Sequence, residues 1–351
     1  MEAKHLNDYD LLRIFAILFV VIGHSAYLAW GHNFGSINYK LPNDLASAYN
    51  GSLLNIARYV AGWVYGFHMP LFFMLSGAVF GISASYSFDT LCKKKIKRLL
   101  VPHYLCCLGF VIPVKWLADF YNNTTVNVAY VNSLGGGSSA HLWFLLALFW
   151  VFIVFWIIRK ISCGSMGFLF LLCLLVQLYH KYLPFDFLFF QRGMGYIIWF
   201  CIGYIFQKAR TNFNVTKFGS ITCFYLMTLA MFVETRYLSA NEVIRILIRC
   251  AWIYSACVCI LKLVPALVNN WIYKIVLRNC FYIYLLHDPL NFVVLKLAFG
   301  QAWLTSNLGC YAYLFCRTVG LVLVSIILGE AFVWVKNRFI SRFRSSMVII
   351  K

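Results

Sequence analysis

Acidic side chains are scarce in this chain: 11 Asp and Glu stand against 30 Lys and Arg, and only 12% of the 351 residues carry a charge of either sign. Soluble domains average about 25% charged and about 45–50% apolar residues. Here 62% are hydrophobic and the mean hydropathy is +0.78, so the chain belongs in lipid. A small-residue cleavage site after the first apolar run is also lacking, and Asp8 and Asp10 precede that run. This argues against a removable signal peptide and for a retained first helix. No Cys-x-x-Cys pairs with histidines; the 13 cysteines are scattered through apolar stretches, as at Cys106, Cys107, Cys257 and Cys259, which predicts packing roles and no metal site. No Gly-x-Ser-x-Gly elbow and no internal repeat is present.

The formal charge of +19 does not indicate nucleic acid, because the basic residues do not gather on one face. They fall in short segments between apolar runs, which is a topological pattern. The 19% of aromatic residues suit packing and the headgroup-level belts of membrane proteins.

A spanning helix needs about 20 apolar residues. Runs of this kind predict spans at 11–30, 60–82, 99–118, 142–158, 164–180, 194–207, 218–235, 244–264, 276–298 and 311–335. The sixth is short, and the ninth contains His287, Asp288 and Pro289. The expected fold is therefore all-α, a polytopic membrane protein of about ten helices forming one domain over 1–351. The connection 83–98 holds Lys93, Lys94, Lys95, Lys97 and Arg98, and later connections on the same side hold Arg159, Lys160, Lys208, Arg210, Lys217 and Lys274, whereas 119–141 has no Lys or Arg. The tail adds Lys336, Arg338, Arg342 and Arg344. By the positive-inside rule both termini are expected in the cytoplasm.

Ionisable groups inside a bilayer are costly and mark functional candidates. In the first run, Arg13 and His24 are eleven residues apart, which at about 100° per residue brings them within about 20° of one direction and about 16 Å apart along the axis. Asp10 lies one turn before Arg13 and can hold its guanidinium. Histidine exchanges a proton near neutral pH and suits a general base acting on a hydroxyl. The alternative is a snorkelling Arg13 and a His24 satisfied by a neighbouring helix.

The second run reads Phe67-His68-Met69-Pro70 and ends in Phe72-Phe73-Met74-Leu75-Ser76-Gly77; Ser76 and Gly77 permit close helix approach. The basic run from Lys93 to Pro102 either grips anionic lipid or holds the phosphates of a nucleotide-like donor. His141-Leu142-Trp143-Phe144-Leu145 opens the fourth span, and Tyr282-Ile283-Tyr284-Leu285-Leu286-His287-Asp288-Pro289 lies in the ninth, where Pro289 marks an interrupted helix.

Taken in order, these segments resemble the membrane-bound acyltransferase 3 family. The resemblance rests on Tyr9-Asp10-Leu11-Leu12-Arg13 continuing to His24, on Phe72 to Gly77, on Arg98-Leu99-Leu100-Val101-Pro102, on His141 to Leu145, and on Tyr284-Leu285-Leu286-His287. It covers nearly the whole chain. It implies that Arg13 and His24 are the essential pair, His24 as base and Arg13 on the acyl donor, with Lys95 and Arg98 also on the donor. Asp10, Ser76, His141, Trp143 and His287 are supporting candidates. Lys95 stands where the family often has a first Arg, and lysine lacks the bidentate fork.

The implied activity is transfer of acetyl from cytoplasmic acetyl-coenzyme A, a donor substrate and not a bound cofactor, to a hydroxyl of an envelope polysaccharide or its lipid-linked precursor: O-antigen, capsule, exopolysaccharide or lipopolysaccharide. The expected partners are acetyl-coenzyme A, a glycan or lipid-linked glycan acceptor and membrane lipids, in the bacterial inner membrane, without an appended soluble domain. A succinyl transferase of the same family is equally compatible. The rival from another class is a secondary transporter or polysaccharide exporter, but such carriers show broken helices in related halves and midplane acids. In this sequence the acids sit near span ends, with Glu330 the main deeper one.

Overall fold

The computed structural model describes residues 2–25, 33–34, 37–38, 52–82, 86–118, 120–121, 126–183, 185–208, 216–237, 242–263, 270–298 and 306–348. Positions 26–30 of the first expected span, Arg210, and the side chains of Arg342 and Arg344 lie outside the described residues. Apart from a two-residue antiparallel pairing of Asn33–Phe34 with Ile37–Asn38, the described regular structure is helical.

Over the described residues, each of the ten apolar runs lies on a helix. These are α1 Glu2–Ser25, α2 Ser52–Ile82, α3 Phe88–Leu117, α4 Trp143–Ile161, α5 Met166–Tyr179, α6 Ile197–Lys208, α7 Lys217–Tyr237, α8 Glu242–Leu263, α9 Trp271–Ala298 and α10 Asn307–Val348. Among the described residues, five stretches are long and apolar enough to cross a membrane: Gly62–Ile82, Phe88–Leu117, Ala140–Ile161, Glu242–Leu263 and Tyr311–Arg338. A sixth appears if Phe187–Met194 and Ile197–Lys208, bent by 62°, are one broken span. The helices overrun the apolar runs where flanking residues favour helix: α10 continues past 335 through Lys336 and Arg338, and both are good helix formers.

Two compact units divide the chain. The first comprises Met1–Ala16, Tyr65–Ile112 and Thr124–Asn269; the second comprises Ile17–Val64, Pro113–Asn123 and Asn270–Lys351.

In lipid, helices gain little from hiding apolar surface from one another, and small residues that allow backbone contact do much of the association. The first unit shows this where α2 crosses α6. A Cβ added at Gly77 would collide with the Phe200 carbonyl, and one added at Gly203 would collide with the Met74 carbonyl. Around this crossing Phe73 stacks on Tyr196 at 4.8 Å and meets Phe144 edge-on at 5.0 Å. Phe200 packs against Phe152 at 4.9 Å and Phe155 at 4.8 Å. Such pairs add about 0.5–1.5 kcal/mol each beyond area burial.

Helix α3 carries two π-type turns, Ile96–Leu100 and Cys107–Val111. Such insertions are rare and recur at functional sites.

In the second unit α9 packs along α10. Asn279 Nδ2 donates to Glu330 Oε1 at 2.7 Å, and Arg278 Nε donates to the same oxygen at 2.8 Å. A Cβ at Gly329 would lie 2.8 Å from the Tyr282 side chain.

Candidate functional site

The first unit encloses a cavity of about 340 Å³ lined from α1, α2, α3 and α4. Four cations line it: Arg13 from α1, and Lys94, Lys95 and Arg98 from α3. Arg98 follows Lys95 by three residues and Lys94 by four, so it neighbours both lysines on the helix surface. Lys95 Nζ lies 3.3 Å from the centroid of the Phe152 ring, and Lys94 Nζ lies 3.8 Å from that of Tyr86. Ser76, Phe72, Phe80 and Leu148 supply further wall.

Arg13 is steadied by Asp10 one turn earlier, NH1 to Oδ1 at 3.2 Å. Asp10 precedes the apolar run, and burial raises its carboxyl above the ordinary range while the Arg13 guanidinium draws it back. Tyr9, which also lines the cavity, donates its hydroxyl to Gln207 of α6. Four cations against aromatic walls suit a ligand carrying phosphate groups on an apolar or aromatic body.

The second unit holds a separate polar cluster inside apolar helices. His24 of α1 places Nδ1 3.1 Å from Asp288 Oδ1 and 3.0 Å from His287 Nε2, both on α9. Lys115, near the end of α3, sets Nζ 3.8 Å from Asp288 Oδ2. Asn291 Nδ2 donates to the His24 carbonyl at 2.7 Å, and Arg317 Nε of α10 donates to Asn291 Oδ1. His24, His287, Asp288, Asn291, Lys115 and Arg317 are all buried. Burying charged groups is costly unless they are paired and hydrogen-bonded, so such a cluster is a functional candidate by physics alone.

Of the residues singled out in the sequence, Arg13, Lys95, Arg98 and Ser76 line one cavity, and His24 and His287 touch one another. His24 is not among the residues lining the cationic cavity. His141 and Trp143 lie elsewhere in the first unit: His103 Nδ1 donates to the Leu142 carbonyl at 3.2 Å, and the Arg192 guanidinium stacks over Trp143 at 4.8 Å. Lys94 belongs to the basic run read from the sequence, whereas Lys115, Asn291 and Arg317 were given no role there. Against the expectation that the acids sit near span ends with Glu330 the deeper one, Asp288 lies buried within α9 while the Glu330 side chain is 38% exposed. A signal for Lys115 and Arg317 was present, since both are cations within apolar runs, but only their contacts distinguish them from snorkelling side chains.

A predominantly helical chain with several apolar spans, a cationic cavity and a buried histidine–carboxylate contact is a multi-pass membrane protein with the parts of an enzyme. Residues 6–330 match the model of the acyltransferase 3 family, described as an acyltransferase domain. The chain belongs to that family. No curated protein and no solved structure matches it. Family membership makes it a membrane acyltransferase and sets aside the transporter reading.

Proposed function

We propose that this protein is an O-acetyltransferase that moves acetyl from cytoplasmic acetyl-coenzyme A to a hydroxyl of an envelope polysaccharide or its lipid-linked precursor. The observation that carries the proposal is the convergence of Arg13, Lys94, Lys95 and Arg98 on one cavity, in a chain of a membrane acyltransferase family. Phosphates of the coenzyme would meet the cations, with Arg13 offering a planar fork and the lysines offering point charges. The aromatic walls would take the uncharged parts of the donor.

In the reaction His24 accepts the proton of the acceptor hydroxyl. The oxygen bonds to the thioester carbonyl carbon, the carbon–sulfur bond breaks, and the proton ends on the coenzyme thiol. Developing charge on the base is best stabilised where a carboxylate already faces it, as Asp288 faces His24.

The same proposal places about ten helices across the bacterial inner membrane as a single catalytic domain, with both termini in the cytoplasm. Ten apolar runs on helices and the basic residues of 83–98, opposite a 119–141 stretch without Lys or Arg, support that arrangement.

The test is incubation of purified protein in detergent with labelled acetyl-coenzyme A and candidate glycans. Label in an alkali-labile ester on the glycan is expected, with loss of the acetyl signal from surface polysaccharide in a deletion strain. No label from acetyl-coenzyme A but label from a succinyl donor would replace acetyl with succinyl; label from neither would overturn the donor assignment.

A further inference from the structure

We infer that Asp288, itself held by Lys115, is the positioning residue that sets the tautomer of His24, leaving Nε2 as the nitrogen that receives the acceptor proton. The inference rests on the reading of His24 as the base, and deepens it by naming the atom and the groups that prepare it.

The hydrogen-bond accounting begins at His287. Its Nδ1 faces two backbone carbonyls, Ile283 O at 2.8 Å and Tyr284 O at 3.0 Å. Carbonyl oxygens only accept, so His287 carries its hydrogen on Nδ1, and in the neutral ring Nε2 is an acceptor. His24 Nδ1 lies 3.0 Å from that Nε2 and 3.1 Å from Asp288 Oδ1. Both neighbours accept, so His24 Nδ1 must carry the hydrogen and Nε2 keeps the lone pair.

The arrangement works only while Asp288 remains a carboxylate. At 2% exposure an uncompensated carboxylate is strongly disfavoured, and a neighbouring cation is the usual remedy. Lys115, 3% exposed, supplies it at 3.8 Å from Oδ2. Its ammonium is seated by the rings of Phe292 and Phe120, at 4.4 and 4.7 Å. Asn291 fixes the other side of His24 through its backbone carbonyl and is itself held by Arg317. Thus α9 presents its residues 287, 288 and 291 to His24 of α1, and Lys115 and Arg317 brace that set from α3 and α10. Pro289 follows Asp288 directly and has no amide hydrogen to give the helix.

Nitrogen-15 NMR of histidine-labelled protein in lipid nanodiscs, with the His24 signal identified by its loss in His24→Gln, reads the tautomer without any turnover. Wild type is expected to show hydrogen on Nδ1. In Asp288→Asn, where the amide can donate as well as accept, a mixed or reversed tautomer is expected, with transfer slowed roughly 10²-fold or more, within the range for a positioned general base, and acetyl-coenzyme A affinity within about twofold of wild type. Lys115→Met should show the same NMR change, and Lys115→Arg should restore both tautomer and turnover, which a merely structural role would not require. Hydrogen on Nε2 in wild type, or an unchanged tautomer in Asp288→Asn, overturns the inference even if other variants fold poorly. Full transfer by His24→Gln would instead remove the base role, while the tautomer result would still decide whether Asp288 orients the ring.

Discussion

The ammonium of Lys95 lies 3.3 Å from the centre of the Phe152 ring, so a cation from α3 is anchored on an aromatic face of α4 inside the cavity of the first unit. A lysine in this position is less mobile than the flexible point charge that its chemistry alone implies. The ring attracts the ammonium by about 0.5–2 kcal/mol and holds it toward the cavity, beside Arg98 and Arg13.

Donor affinity should therefore depend on all three cations and on the ring. Lys95→Ala and Arg98→Ala are each expected to weaken acetyl-coenzyme A binding by about 1.5–3 kcal/mol, the range for hydrogen bonds to charged groups. Phe152→Leu should weaken it by about 0.5–2 kcal/mol. Calorimetric titration in detergent reads these differences, and unchanged affinity in all three variants would remove the donor from this cavity.

Arg13 and His24 should fail in different ways although one helix carries both. Arg13→Lys keeps the charge and loses the fork, so donor binding should fall by about 1–3 kcal/mol. His24→Ala should stop turnover while donor affinity stays near wild type. If His24→Ala loses donor affinity and Arg13→Lys retains it, the two roles are reversed.

The crossing of α2 and α6 should tolerate no side chain at its two glycines. Gly77→Ala and Gly203→Ala each place a carbon against a backbone carbonyl, which cannot move as a side chain can. Each should destabilise the protein by about 1–3 kcal/mol, the usual cost of overpacking. Gly109→Ala, with nothing within 4 Å of the added carbon, is the control. Fluorescence-detected size-exclusion after heating should show melting points lowered for the first two and unchanged or raised for the third.

Orientation follows from thiol labelling on a cysteine-depleted background. A membrane-impermeant maleimide applied to intact cells should modify Asn132→Cys, in the stretch without Lys or Arg, and spare Ser87→Cys, beside the basic run. Both positions are exposed. The reverse pattern would put the cationic cavity on the side where coenzyme A is absent.

What the sequence by itself determined was the solvent, the helices and the family. Apolar runs of about 20 residues report one-dimensional facts about the cost of placing backbone and charge in lipid, and each run lies on a helix. Arg13, His24, Lys95, Arg98 and His287 were visible because ionisable residues stand out near or within apolar surroundings. Which of them meet was decided only by tertiary structure. The eleven-residue spacing of Arg13 and His24 described directions on a single helix, not neighbours, and the structure gives Arg13 to the cationic cavity and His24 to a cluster with His287 and Asp288. Lys115 and Arg317 lie 91 and 293 positions from His24 in the chain, and no periodicity links them to it. Contacts between distant helices depend on crossings such as Gly77 against Phe200, where the absence of one carbon decides how closely two backbones approach.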